Sequence, residues 1–262
     1  MTLHIASWNI NGIKARIDTL LAWLEAEKPD IAALQEIKSI DENFPKEQIE
    51  QLGYHVYTHG QKSFNGVALL SKFPLEDISR GLPGDEHDLQ ARLIEARAIT
   101  ENGAMRIIGI YLPNGNPVDT DKFPYKLSWM DRLHNYVKQA LEEEEPLIIV
   151  GDYNIIPTEN DVHDPKAWWG DALFRPESQE KFRAFKNLGL TDAFETSDGR
   201  PHQYTFWDYQ AGAWQKNNGI RIDHILMSPE ATDLFENCWI DKEIRGQDKP
   251  SDHVPICANF NL

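Results

Sequence analysis

The sequence predicts an α/β protein in which two β-sheets pack face to face and helices cover their outer sides. Three observations carry that expectation. Short runs rich in apolar and β-branched residues recur along all 262 residues. Only a few stretches show the apolar spacing of a helix. No Pro/Gly/Ser-rich linker, low-complexity tract or internal repeat divides the chain, so residues 1–262 are expected to form a single domain.

Taken in order, strands are expected in HIASWNI (His4–Ile10), DIAALQE (Asp30–Glu36), GVALLSK (Gly66–Lys72), ARLIEARAI (Ala91–Ile99) and MRIIGIYLP (Met105–Pro113). They continue with PLIIVGDYN (Pro146–Asn154), QYTFWDY (Gln203–Tyr209), RIDHILMS (Arg221–Ser228) and VPICANFNL (Val254–Leu262). Between the first two runs, Ile17, Leu20, Leu21 and Leu24 fall on one face of a helix that Pro29 closes. A longer helix is expected from Lys122 to Pro146, its acidic end LEEEEP (Leu141–Pro146) lying in solvent, and a third over Glu177–Asn187.

Charge and cysteine content narrow the function. A formal net charge of -16 argues against a protein held on nucleic acid by a broad basic surface, although it leaves room for a local basic rim. Most of that surplus serves solubility, but carboxylates that converge can hold a hard divalent cation, which in turn recruits phosphate. The isolated Cys238 and Cys257 make neither a disulfide framework nor a metal knuckle. No charged leader precedes an apolar segment, and no apolar run reaches membrane-spanning length, so a cytoplasmic protein without membrane attachment is expected, and a monomer.

Polar residues gather where the expected strands stop: Asn9 and Asn11, Glu36, Tyr111 and Asn114, Asp152 and Asn154, Asp223, then Asp252 with His253. Positions i and i+2 of a strand share a face, so Asp152 and Asn154 should project together, as should Asn9 and Asn11. An Asp-x-Asn after one strand reads more readily as an Asx-turn, and Pro157 ends any further pairing. Repetition across several strand ends reverses that preference. Glu36 is either solvated or a ligand for Mg²⁺ or Mn²⁺, which favour carboxylate and amide oxygens. In KPSDHVPI, Lys249–Ile256, Asp252 is a candidate metal ligand and His253 a phosphate-directed donor oriented by Asp223; the bland alternative is a rigid turn capped by the histidine. Structural zinc spacing, a Gly-x-Ser-x-Gly elbow and a Walker loop are all missing from the sequence.

WNING, LQEIK, GVALLSK, YLPNG, GDYNIIPT, YTFWDY, GIRIDHIL and KPSDHVP, in that order from about Ile5 to Phe260, resemble the exonuclease III group of abasic-site endonucleases within the endonuclease/exonuclease/phosphatase superfamily. The resemblance implies a four-layered α/β sandwich with two packed, mainly antiparallel sheets flanked by helices. It implies a Mg²⁺-dependent phosphodiesterase (Mn²⁺ being the other suitable ion) that cuts 5′ to abasic sites and clears blocked 3′ ends of double-stranded DNA. Glu36 and Asp252 would hold the metal with Asn11 nearby. Asp152, helped by Asn9, would handle the attacking water. Asn154, Asn114, Tyr111 and His253 would hold the phosphate, with Asp223 orienting His253. Phe206, Ile220 and Ile222 would line a pocket for a flipped, baseless sugar, although strand spacing alone makes them core residues. Lys14, Arg16 and Arg92 would touch DNA phosphates.

The segment VHDPKAWWGDALFRPES, Val162–Ser178, departs from the best-known members of the group. His163, Trp168 and Trp169 either enter the cleft, favouring 3′-end trimming or 3′-phosphate removal over abasic cleavage, or form a satellite cluster. Other readings are a phosphatase acting on small phosphoesters and a silent binding module. YTFWDY and GIRID argue against the first, the full set of polar strand ends against the second.

Overall fold

A computed structural model describes residues 2–262. Its strands, in chain order, are β1 (Thr2–Asn9), β2 (Ile31–Gln35), β3 (His55–His59), β4 (Val67–Ser71), β5 (Glu76–Arg80) and β6 (Leu93–Thr100). They continue as β7 (Gly103–Tyr111), β8 (Leu147–Asp152), β9 (Thr191–Asp192), β10 (Asp223–Met227), β11 (Phe235–Ile240) and β12 (Ile256–Asn261). The α-helices are α1 (Ile13–Glu27), α2 (Lys46–Glu50), α3 (Lys122–Ala140), α4 (Pro176–Asn187), α5 (Ala193–Ser197), α6 (Ala213–Lys216) and α7 (Pro229–Asp233).

These strands form two six-stranded sheets, ordered β11-β12-β1-β2-β4-β3 and β5-β6-β7-β8-β10-β9. Each sheet has one parallel pair, β1 with β2 and β7 with β8, at its centre, and antiparallel pairs elsewhere. A parallel pair needs a crossover connection, which α1 supplies in the first sheet and α3 in the second. Covering helices bury both faces of the central strands, which is why β2, β4, β8 and β10 are buried throughout and read as unbroken apolar runs. The layer between the sheets includes Ile5, Ile31, Leu69, Ile94, Ile107, Val150 and Ile225. Trp8 and Leu34 pack towards α1, and Ile108 and Ile149 towards α3 and α4.

Four strands carried no clear signal in the sequence, and all four are sheet edges: β3, β5, β9 and β11. An edge strand is half solvated and needs no long apolar run. The pattern along β5 is mostly exposed, β9 has two residues, and a register shift between Phe235 and Asn237 breaks β11. The opposite error concerns Gln203–Tyr209, which is an irregular segment rather than a strand. Its aromatic content serves packing, and Phe206 makes only isolated bridges to Ile220 and His253. Helix α1 stops at a left-handed Lys28, whose N–H bonds the Leu24 carbonyl, just ahead of Pro29. Helix α3 ends earlier than expected, at Ala140, with a 3₁₀ turn over Leu141–Glu143.

The geometry puts the C-terminal ends of both central parallel pairs, and the starts of β10 and β12, at one end of the sandwich. Tyr111 and Asp223 both register with Asp152 across neighbouring strands. Gly151 makes that approach possible, because a Cβ there would lie 1.9 Å from the Ile110 carbonyl oxygen. Gly151→Ala should therefore separate β7 from β8 and cost about 3 kcal/mol or more of stability. Equilibrium denaturation against the wild type measures this, and an unchanged midpoint would contradict the close packing.

Candidate active site

Two chain reversals build the core of the site. The Asp152 Oδ1 accepts from the backbone N–H of Asn154 at 2.8 Å, and the Asn9 Oδ1 accepts from that of Asn11 at 3.0 Å. Asn154 and Asn11 lie beyond the ends of β8 and β1, with φ of 49° and 47°, so strand alternation does not bring each pair together. That part of the expectation is corrected: the Asx-turn and the polar cluster are the same feature. Glu36, just past β2, also has positive φ, 48°, a conformation costly for a residue with a long side chain. The Gly12 N–H bonds its carbonyl at 2.7 Å and holds it there.

From these turns the side chains meet between the sheets. His253 is held by Asp223, Nδ1 to Oδ2 at 2.8 Å, while its Nε2 stands 3.7 Å from the Asp152 Oδ2. Asn9 serves that same Asp152 oxygen, its Nδ2 donating to Oδ2 at 2.9 Å. Tyr111 donates its hydroxyl to Glu36 at 2.5 Å. Asn114 donates to the Asn154 Oδ1 at 3.0 Å, and Asn154 donates to the Leu112 carbonyl at 2.9 Å. Asp152, Asn154, Asp223 and His253 are all buried.

Electrostatics follow from this crowding. Burial disfavours a charged His253, yet Asp223 and then Asp152 outweigh it and lift the pKa to about 10. Burial pushes Asp152 up to about 7 against the pull of His253. The result is an imidazolium beside a carboxylate able to exchange a proton near neutral pH. Burial works against ionised Glu36 as well, but Lys38 and Tyr111 hold its pKa below the usual value.

Two groups are candidates for a cation. Asp152, Asp223 and His253 offer ligand atoms within 4.8 Å of one another. There, however, both ring nitrogens of a protonated histidine face carboxylates, and its charge already occupies the role of a cation. The second group is Glu36, Asn11 and Asp252, all oxygen donors. The Lys38 ammonium lies 2.8 Å from Glu36 and 2.5 Å from the Asn11 Oδ1, and Asn11 reaches Asp252 at 2.9 Å. A cation already sits among these oxygens, so their donor chemistry fits a hard divalent ion.

A cleft of about 290 Å³ opens onto this cluster, lined by Glu36, Tyr111, Asn114, Asp152, Asn154, Asp252 and His253. Phe206, Ile220 and Ile222 form its apolar wall; Ile220 and Ile222 also belong to a buried cluster with Val162 and Leu173, and Phe206 packs against that cluster. Of the three residues noted in the departing loop, Trp168 enters the wall, Trp169 is exposed and His163 is tied to the Gly219 carbonyl. Arg92 lies outside the cleft, over the Tyr111 ring and bonded to that residue's carbonyl, in an adjoining groove that shares Tyr111 and Asn114. Arg16 is bonded to the Asn11 carbonyl, and Lys14 lines a separate depression with Lys38 and Lys62. Lys38, Asn116, Asp171 and Lys126 escaped the sequence reading. Lys38 alone had a signal, standing two residues after Glu36.

This fold and cluster place the chain in a known family: residues 6–253 match the model of the endonuclease/exonuclease/phosphatase family, and the chain belongs to it. Among curated relatives, it is 39% identical to exodeoxyribonuclease III of Haemophilus influenzae, over 98% of this chain and all of that protein. Among solved structures, it is similar to an AP endonuclease from Archaeoglobus fulgidus, with a TM-score of 0.94 and 34% identity over 99% of this chain and all of that one. It is also similar to the 3′ phosphatase NExo from Neisseria bound to product DNA hairpin, with a TM-score of 0.93, 32% identity and the same coverage.

The hold of Asp223 on His253 is directly measurable. Asp223→Asn keeps the shape but removes the larger of the two carboxylate influences, so the His253 titration followed by NMR should fall from about 10 towards the ordinary 6.5. An unmoved titration would mean that Asp223 does not hold the imidazolium.

Proposed function

We propose that this protein is a divalent-metal-dependent DNA-repair phosphodiesterase, acting as a single unit over residues 1–262, that cuts 5′ to abasic sites and processes blocked 3′ ends. The observation that carries the reading is the pairing of a near-neutral carboxylate, Asp152, with a buried imidazolium, His253, at the mouth of a half-apolar cleft. Hydrolysis of a phosphodiester needs a base for the water and positive charge for the non-bridging oxygens. Asp152 takes the proton, its Oδ2 fixed by Asn9 and its Oδ1 by the Asn154 N–H. His253, Asn154, Asn114 and Tyr111 face the phosphate, and Asp223 orients His253. Glu36 and Asp252, with Asn11, would hold Mg²⁺, or Mn²⁺, and Lys38 would give way to it. Such an ion, when bound, supplies charge at the phosphate and at the leaving oxygen.

DNA as substrate is supported by what surrounds the cleft. Despite the net charge of -16, Lys14, Lys38 and Lys62 line a depression on one side, and Arg92 and Lys122 a groove on the other. A local cationic rim is enough to seat a backbone. Similarity to an AP endonuclease and to a DNA-bound 3′ phosphatase supports both activities. The deciding experiment is metal-dependent cleavage of a duplex carrying one abasic analogue, read for product position and for the 3′ terminus. Absence of any cleavage would overturn the proposal.

Two substitutions test the parts. Glu36→Ala should raise the Mg²⁺ concentration needed for half-maximal rate about tenfold or more, with partial rescue at high Mg²⁺, since Asp252 remains and water fills the gap. A Mg²⁺ titration indistinguishable from the wild type would remove Glu36 from the metal site. Phe206→Ala should slow abasic cleavage about tenfold or more while sparing removal of a 3′-phosphate at a nick, because only the flipped sugar depends on the apolar wall. Equal loss on both substrates would reduce Phe206 to a support of the fold.

A further inference from the structure

Lys126 stands on α3 with its side chain wholly buried, among neighbours that in the same helix include Trp129, Met130 and Leu133. Among the described residues, no carboxylate forms an ion pair with it. Its ammonium donates instead to three backbone carbonyls, those of Asn114 at 3.1 Å, Asn154 at 2.6 Å and Ala172 at 3.2 Å. Each carbonyl belongs to a different segment: the loop after β7, the turn after β8, and the loop that carries Trp168 into the cleft wall. The first two belong to the very residues whose side chains are joined at 3.0 Å in the phosphate-facing pair.

The loops close tightly over the lysine. A Cβ on Gly115 would lie 2.7 Å from the Lys126 Cδ and 3.1 Å from the Ala172 Cβ. Asn116 fastens the same two loops, donating to the Asp171 Oδ1 at 3.1 Å and accepting from the Ala172 N–H at 3.1 Å. Burial pulls the Lys126 pKa down to about 7 against the opposing pull of Asp152 and Asp171, both on the cleft. A buried ammonium without an ion-pair partner is costly, and an apolar side chain would fill the space at lower cost. What it provides in return is a fixed point shared by three cleft segments.

We infer that Lys126 is a positioning residue for the phosphate: it acts through Asn154 and Asn114, whose backbones it clamps, and touches no substrate itself. The inference rests on the reading of the cleft as a phosphodiesterase site. The test is Lys126→Met in the full chain, alone and in an Asn154→Ala background, with single-turnover cleavage and duplex binding in EDTA measured alongside thermal unfolding. Lys126→Met should slow cleavage about 30-fold or more in the wild-type background while changing duplex affinity less than about 3-fold. With Asn154 already truncated, the same substitution should slow cleavage no more than about 2-fold, because both changes remove one interaction. Full losses that multiply in the two backgrounds, or a wild-type rate for Lys126→Met, overturn the inference. Should the Met variant not fold, Lys126→Gln decides: it keeps a donor for the carbonyls, and a smaller loss that again vanishes in the Asn154→Ala background supports the clamp. A wild-type rate, or a loss independent of background, overturns it. A wild type that cleaves neither an abasic duplex nor a 3′-phosphate sinks the functional reading and this inference with it; an active wild type with background-independent variants sinks this inference alone.

Discussion

The site depends on a charge balance struck across the space between two sheets. His253 comes from the segment leading into β12 of the first sheet, whereas Asp223 and Asp152 belong to β10 and β8 of the second. Asn9 and Tyr111 cross the same space in opposite directions, to Asp152 and Glu36. None of these groups is stable alone in a buried setting, since an unpaired buried charge costs several kcal/mol. Together they fix the separation of the sheets at that end, so catalytic geometry and sheet packing are one constraint. The central parallel pairs meet it because each is fed by a helical crossover that points both strand ends the same way.

Legibility in the sequence followed burial. Strands covered on both faces, such as β2 and β8, must be apolar along their length, and IAALQ and LIIVGD announce them. Edge strands answer to no such requirement, and EDISR along β5 resembles any solvated segment. QYTFWDY misled for the converse reason: aromatic residues such as Phe206, set between Ile220 and the His253 segment, look like strand residues, because packing and pairing select the same side chains. At the site, the polar ends of buried strands could be seen, but their mode of assembly could not. Asn11 and Asn154 reach their places through left-handed backbone, which strand periodicity does not encode.

Lys126 was invisible for a different reason, and Lys38 was only partly legible. A lysine in an amphipathic helix ordinarily lies at the surface, and nothing in KFPYKLSW marks Lys126 as the buried one rather than Lys122. Its burial is decided by three carbonyls from segments distant in sequence. Lys38 gave a neighbouring signal, yet its bonding to both Glu36 and Asn11 depends on the positive φ of all three residues.

These backbone conformations also bear on how a strongly acidic protein presents a phosphate site. Asn11, Glu36 and Asn154 each hold strained φ at the rim of one cleft, and each is held by bonds to a neighbouring turn: Asn11 to Asn9, Glu36 to Gly12, Asn154 to Asp152. Strain of this kind costs about 1–2 kcal/mol per residue and persists only where surrounding bonds over-determine it. The turns carry the Asn11, Glu36 and Asn154 side chains into the cluster, and His253 supplies buried positive charge beside them. Attraction for an anion then comes from fixed dipoles and the desolvated His253 imidazolium, where the low local dielectric strengthens each contact. Carboxylates buried elsewhere are paired with arginines, Glu95 with Arg106 and both Asp161 and Asp192 with Arg221, and solvent screens the exposed ones. Net charge and local field are thus decoupled, and the surplus of acid can coexist with a site for phosphate.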